Sequence, residues 1–403
     1  MTIIPKTIKR ERYIEALKPY INKPIIKVIT GQRRVGKSYL LYQLMDEIKL
    51  TDKTANNIYI NKEYHEFDDI YDHKDLVKFI EQKLHKSRRN YLFIDEIQEI
   101  RDFEKALSNY QSKDNLDIYI TGSNAEMLST EISTKLSGRY IEKEIYSLSY
   151  NEFINFHKLD NTEETFSKYI RFGGLPGLIN FKLEEFYVYD YLKNIYATIL
   201  YKDIVKKHNI RNVQFLERLV LFLANNTGSI VSAKKICDFL KSQKVSVSPN
   251  LVLDYLKYLT DAFFVFKVNR YDIEGKRVLE IGDKYYFEDL GLRHTVSGYK
   301  ANDINKILEN IAYLHLLIAG YNITVGWQSG KEIDFICEKD GKKLYVQVAY
   351  LLHDEKAINR EFGNLELVQD NYPKIVVSLD KVIGDDYNGI QHKNFRDFIS
   401  DII

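Results

Sequence analysis

The sequence predicts an α/β protein: a parallel sheet covered by helices on both faces, then a helical region, then a second, smaller α/β region. Three observations predict it. Short apolar runs alternate with amphipathic helical stretches over the first 150 residues, the pattern turns purely helical from about residue 150, and strand-like runs return after about residue 280. Apolar strands separated by helical segments are the mark of a parallel sheet buried on both faces.

Residues 8–20 read as a short helix, with Ile14, Leu17 and Ile21 at helical spacing. Five strand-like runs follow: "PIIKVIT" (24–30), "NIYIN" (57–61), "YLFIDE" (91–96), "DIYITG" (117–122) and "RYIEKEI" (139–145). The helical middle is broken by the turn "FGGLPG" at 172–177. Residues 212–270 read as three helices and a strand-like "DAFFVFKVNRYD". The last of these helices opens with Ser248 as N-cap and Pro249 at its first position. Beyond 280 come "KYYFEDLGL", a helix near 305–320, the run "EIDFICEKDGKKLYVQVAY" as a strand pair turning at Asp340-Gly341, and a strand at 374–380.

At 403 residues the chain has room for two or three cores. Lys and Arg number 58 against 57 Asp and Glu, so no global field draws it to nucleic acid or anionic membrane, and any basic surface is local. The two cysteines, Cys237 and Cys337, stand a hundred residues apart, which argues against a disulfide framework or zinc site and fits a reducing compartment. The start shows no secretory pattern, and no run approaches the roughly 20 apolar residues of a membrane span. A cytoplasmic location is expected.

"VITGQRRVGKSYLL" (28–41) carries the chemistry. Gly31 and Gly36-Lys37-Ser38, with four residues between them, follow a strand and open a helix, the setting a phosphate-binding P-loop requires. Gly31, Gln32, Arg33, Arg34, Val35, Gly36, Lys37, Ser38 and Tyr39 would hold ATP. Glycines turn backbone N–H groups onto phosphates, Lys37 reaches the β and γ oxygens, and the Ser38 hydroxyl ligates Mg2+. A metal also needs a carboxylate, and a strand ending in Asp95-Glu96 provides two. Asp95 would stay on Mg2+ while Glu96 polarises the attacking water. At the end of the next strand, Asn124 would hold that water, with Ser123 the second choice; Asn124 also suits a helix cap. Arg139 would contact the γ-phosphate, in cis or from a neighbouring subunit, a contact worth about 10³–10⁵ in turnover, or stand as a surface arginine.

In their order, "GQRRVGKS", "FIDEIQ", "ITGSN", "LSGRY" and "FGGLPG" resemble the AAA-type (P-loop) ATPases of bacteria and archaea that carry a C-terminal nuclease-like domain of unknown function. The resemblance implies an AAA-like sheet with the loop strand central, an extra strand between it and the Asp-Glu strand, hydrolysis of ATP with Mg2+, and the possibility of an oligomer. The changes of pattern along the chain divide it into an ATPase domain over 1–150, a helical linker or lid over 151–211, a winged helix over 212–280 and a restriction-endonuclease-like domain over 281–403.

In the winged-helix segment, Lys234, Lys235, Lys241 and Lys244 oppose Asp238, a local excess of +3. Such lysines suit the phosphates of double-stranded DNA. Lys257 is the single base-edge candidate on the third helix, so sequence readout is weak, and a protein partner is the other use of this module. The C-terminal strand pair resembles the PD-(D/E)xK nuclease core, carrying Glu309 and Asp334 across to the helix and strand acids. Gln347-Val348-Ala349 stands where (D/E)-x-K belongs. An amide ligates magnesium poorly and alanine cannot activate water, so a degenerate scaffold is expected; Glu332 could restore metal binding, and nothing restores the lysine. The sequence thus supports an ATPase that engages DNA or protein, with a non-hydrolysing nucleotide switch as the alternative and an ATP-gated nuclease disfavoured.

Overall fold

The three interior strands of the first sheet, 26–30, 90–95 and 116–122, are buried along their whole length, because a parallel sheet with helices on both faces leaves its interior no solvated side, whereas the edge strands are partly exposed. In the computed structural model, which describes residues 7–111, 115–125, 136, 138–381 and 387–403, the chain forms two units. The first is residues 1–146 with 261–263; the second is 147–260 with 264–403.

In the first unit, α1 (Glu11–Leu17) leads to β1 (Ile26–Thr30), α2 (Lys37–Thr51), β2 (Asn56–Asn61), α3 (His73–Lys83), β3 (Asn90–Asp95), α4 (Phe103–Gln111), β4 (Leu116–Gly122) and β5 (Tyr140–Glu144). All pairings are parallel and the order is β2-β3-β4-β1-β5. The loop strand β1 is interior, and β4 stands between it and β3, as the resemblance implies. Lys27 breaks the apolar pattern of β1, yet it is fully buried. Its ammonium pairs with Asp117 of β4, whose other oxygen accepts from the Tyr119 hydroxyl at 2.9 Å and the Asn22 N–H at 2.8 Å. Burial pulls the Lys27 pKa down while Asp117 opposes it. This pair lies at the N-terminal edge of the strands, which leaves the C-terminal edge for the phosphate loop.

The second unit begins with α5 (Tyr150–His157), α6 (Glu163–Phe172), α7 (Glu185–Ala197), which runs on as a π-helix over Thr198–Lys206, α8 (Val213–Asn225), α9 (Ala233–Ser242) and α10 (Pro249–Asp261). Then come β6 (Val265–Asp272), β7 (Arg277–Phe287), α11 (Leu290–Ser297), α12 (Ile304–Ile318), β8 (Asn322–Gln328), β9 (Lys331–Lys339), β10 (Lys342–Val348), α13 (Glu355–Glu366), β11 (Lys374–Ser378), β12 (Gln391–Asn394) and α14 (Phe395–Asp401). Seven strands form one mixed sheet, β12-β11-β10-β9-β8-β6-β7. The β9–β10 turn is at Asp340 (φ 50) and Gly341 (φ 73), as expected. The boundary expected at residue 280 falls inside β7. β6 pairs in parallel with β8, Arg270 to Asp272 against Val325 to Trp327, so the hairpin meant to close the winged helix belongs to the C-terminal sheet. Among the described residues no helix is long and apolar enough to cross a membrane.

"FGGLPG" serves this second unit as a clasp. A Cβ on Gly173 (φ +78) would lie 2.5 and 2.6 Å from the carboxylate oxygens of Asp289. That carboxylate accepts from the Gly174 N–H at 2.7 Å and the Leu292 N–H at 2.9 Å. Burial outweighs these hydrogen bonds and pushes the Asp289 pKa up to about 6. An aspartate in the unfolded chain titrates near 3.9, so the folded state binds the proton more tightly. The stabilisation this gives is fully present below about pH 4 and is lost as the pH rises through about 6. The stability difference between wild type and Asp289→Asn is therefore expected to shift in favour of wild type by up to about 3 kcal/mol as pH falls from 7.5 to 4, read by denaturant unfolding at each pH. A pH-independent difference would show that Asp289 titrates normally.

Candidate nucleotide-binding and catalytic site

β1 ends at Thr30 and the chain leaves the sheet through Gly31, where φ is +141 and a Cβ would sit 2.2 Å from the Ile145 carbonyl oxygen. Arg34 (φ +74) and Gly36 (φ +102) complete the turn, and α2 starts at Lys37. Gln32 and Val35 are fully buried and anchor the loop, whereas Arg34 and Tyr39 face solvent. The first N–H groups of a helix have no carbonyl one turn back, and the helix dipole adds positive character there. The Lys37 ammonium folds over this opening, 3.0 Å from the Gly31 carbonyl oxygen, 3.1 Å from that of Gln32 and 3.6 Å from a Glu96 oxygen. Arg33 pairs with Glu63 at 2.7 Å.

β3 delivers both acids to the same edge. Asp95 is almost wholly buried. Its carboxylate accepts from the Thr121 hydroxyl at 2.5 Å, the Asn61 amide at 3.2 Å and the Tyr59 hydroxyl at 3.4 Å. Burial raises its pKa against the opposing hydrogen bonds from Ser38 and Thr121. Glu96 turns out of the strand in the left-handed region (φ 55, ψ 53), a conformation that needs its surroundings to hold it. Thr121 accepts from the Glu96 N–H at 3.0 Å, Ser123 donates to its Oε2 at 2.8 Å and Gln98 donates to the same oxygen. Burial works against the charged form, but Lys37 and Arg33 with these donors outweigh it and hold the Glu96 pKa below the usual value.

The loop, Asp95 and Glu96 are thus brought together as read from the sequence. Ser123 makes the contact with Glu96; Asn124 is buried just beyond it, and the segment it was expected to cap lies outside the described residues. Thr121 and Gln98 escaped the sequence reading, because a threonine in a β-strand reads as a strand former. Arg139 needs a correction. It is exposed at the opposite edge, where its carbonyl accepts from the Ile26 N–H at 3.0 Å. β5 runs parallel to β1, with Tyr140 beside Ile26 and Glu144 beside Thr30. Arg139 is therefore a strand length, about 16 Å, from the loop edge, beyond the reach of its side chain. The cis contact is set aside.

A nucleoside triphosphate with a divalent cation fits this site. It combines helix N–H donors, a lysine over the loop, a hydroxyl–carboxylate pair at Ser38 and Asp95, and an ionised glutamate beside them.

In the second unit, Glu309 and Asp334 also come together, with Glu332 beside them. Here too the sequence reading needs a correction. A lysine does reach the acids, Lys284 of β7, at 2.6 Å from Glu309, 2.7 Å from Glu332 and 3.6 Å from Asp334. It stands far from the position the nuclease pattern assigns to its lysine, so no spacing rule finds it.

A strand–loop–helix of this form with an acid pair two strands away defines a P-loop nucleotide-binding protein. Residues 23–154 match the model of the AAA domain, and residues 163–303 match a domain of unknown function (DUF8612). The chain is 37% identical over 377 residues to an uncharacterized protein of Haemophilus influenzae, covering 92% of this chain and 93% of that protein. It is 30% identical over 345 residues to an uncharacterized protein of Methanocaldococcus jannaschii, covering 82% and 75%. In fold it is similar to the Walker-type ATPase of Pyrococcus abyssi, with a TM-score of 0.52 at 15% identity over 73% of this chain and 96% of that one. The chain belongs to the AAA-type P-loop ATPase family, with a domain of unknown function behind the AAA domain.

If the Thr121 hydroxyl ties the two acids to β4, Thr121→Val is expected to lower stability by about 1–3 kcal/mol, while Thr121→Ser keeps most of it, measured by denaturant unfolding. Equal losses in both variants would show that the hydroxyl is not the tie.

Proposed function

We propose that this chain binds ATP with Mg2+, hydrolyses it to ADP and phosphate in the cytoplasm, and uses the cycle to engage double-stranded DNA or a protein partner. The observation that carries the reading is the meeting of Lys37, Ser38, Asp95 and Glu96, from β1–α2 and β3, at one edge of the sheet. Lys37 leaves the Gly31 and Gln32 carbonyls and Glu96 to take the β and γ oxygens. Ser38 and Asp95 would hold the cation, which would supply positive charge to offset that of the phosphates. Released from Lys37, Glu96 accepts the proton of the attacking water, and Arg33 with the Gln98 and Ser123 donors still favours its ionised form beforehand. Ser123 and Gln98 fix one Glu96 oxygen so that the other faces the water, with Asn124 as a further water-holding group. Arg139 contributes from a neighbouring copy in an oligomer.

The succession of α8, α9 and α10 supports the helical half of a winged-helix reading, while the hairpin that follows is taken up by the C-terminal sheet. Lys234, Lys235, Lys241 and Lys244 are all exposed, which supports contact with a phosphate backbone. The pairing of Glu96 with Lys37 favours a second reading, a switch that holds nucleotide without turning it over.

Turnover of ATP with and without double-stranded DNA separates the two. Glu96→Gln is expected to lower kcat at least about 100-fold with ATP affinity nearly unchanged, and unaltered turnover would remove the mechanism. In the same assay, inactive Arg139→Ala mixed with inactive Lys37→Ala is expected to regain activity, each copy supplying what the other lacks; without regain Arg139 has no role across subunits.

A further inference from the structure

Lys284 lies inside β7 with a side chain only 1% exposed, and three carboxylates converge on its ammonium. Glu309 comes from α12 at 2.6 Å; Glu332 and Asp334 come from β9 at 2.7 and 3.6 Å. The Tyr286 hydroxyl, two residues along the same strand, donates at 2.5 Å to the same Glu309 oxygen that Lys284 contacts, and the Val348 N–H donates to the other Asp334 oxygen at 2.9 Å. Gln347 takes no part as a ligand: its Nε2 donates to Glu361 at 3.0 Å and its Oε1 accepts from the Asp334 N–H at 3.2 Å.

Three carboxylates around one point are the donor set of a hard divalent cation, which sits about 2.0–2.6 Å from its oxygens. We propose that Lys284 is a built-in cation, its ammonium filling the divalent-metal position of the Glu309–Glu332–Asp334 cluster, so that this chain carries a metal site in plugged form. Two of the contacts have the length of charge-assisted hydrogen bonds, which a weakly held surface lysine would not keep. Burial disfavours the charged lysine, but Glu309, Asp334 and Glu332 outweigh it and hold its pKa above the ordinary value. Burial and the neighbouring Glu309 also push the Asp334 pKa up, well above the carboxylate range, against Lys284 and the Val348 N–H. A divalent ion cannot enter without expelling a like charge from the same point. The cluster therefore holds α12, β7 and β9 together without metal, and it offers no metal-bound water for phosphodiester cleavage. The inference does not depend on the nucleotide reading.

The test is a calorimetric and thermal titration of Mn2+ onto the full, nucleotide-free chain. Mn2+ held at the phosphate loop is common to every variant and cancels. Wild type and Asp334→Asn are expected to give the same Mn2+ isotherm. Lys284→Ala is expected to melt about 10 °C lower in chelator, as for a buried ion pair deprived of one partner. It should gain one Mn2+ site and recover at least half of that loss in Mn2+; Lys284→Ala/Asp334→Asn should gain neither. Wild-type Mn2+ binding that Asp334→Asn abolishes would overturn the proposal, as would a folded Lys284→Ala that gains no site. Should Lys284→Ala not fold, the wild-type and Asp334→Asn comparison, which leaves Lys284 intact, decides alone: equal isotherms support the proposal and a lost site overturns it.

Discussion

The nucleotide site depends on β1 and β3 ending at the same edge of the sheet with one strand between them. Adjacent strands stand about 4.8 Å apart, so the loop strand and the acid strand are separated by roughly 10 Å, a gap that leaves room for phosphates and their cation. Side chains close it from both sides. Lys37 reaches from the first turn of α2 to within 3.6 Å of Glu96. Thr121, on the intervening β4, donates to Asp95 and accepts from the Glu96 N–H. Without β4 in the middle, the acids would crowd the loop; without Thr121 they would lose their reference to it.

Much of this was legible because it is local. A glycine-flanked lysine and serine between a strand and a helix has few other uses, and apolar runs ending in paired acids mark the same sheet edge. What stayed hidden is what spacing does not encode. Arg139 follows in the order of motifs, but order says nothing about which end of a strand a residue occupies, and the parallel register of β5 puts it at the far edge. Ser123 and Asn124 are neighbours in sequence, and only side-chain direction assigns Ser123 to Glu96. Lys284 stands nearly fifty residues before Glu332, at the start of the C-terminal segment and away from the strand pair that carries the nuclease-like pattern. Its role follows from β6–β7 joining the C-terminal sheet through β8.

The same device recurs in three buried places: a charge taken out of water is kept only where opposite charge or backbone dipoles surround it. Lys27 and Asp117 satisfy each other at the floor of the first sheet. Asp289 is wrapped by the N–H groups of the glycine turn and of α11. Lys284 is ringed by three acids. The nucleotide site differs in kind. There the cation Lys37 rests on loop carbonyls and one acid, partners that a triphosphate can replace.

The central claim is that this loop and these acids take a triphosphate together. Isothermal calorimetry of Mg-ATP on the purified chain tests it most directly. The account requires saturable binding at one site per chain, weakened about 10–100-fold by Lys37→Ala through loss of a charged contact. No saturable heat, or an isotherm indifferent to that substitution, would contradict it.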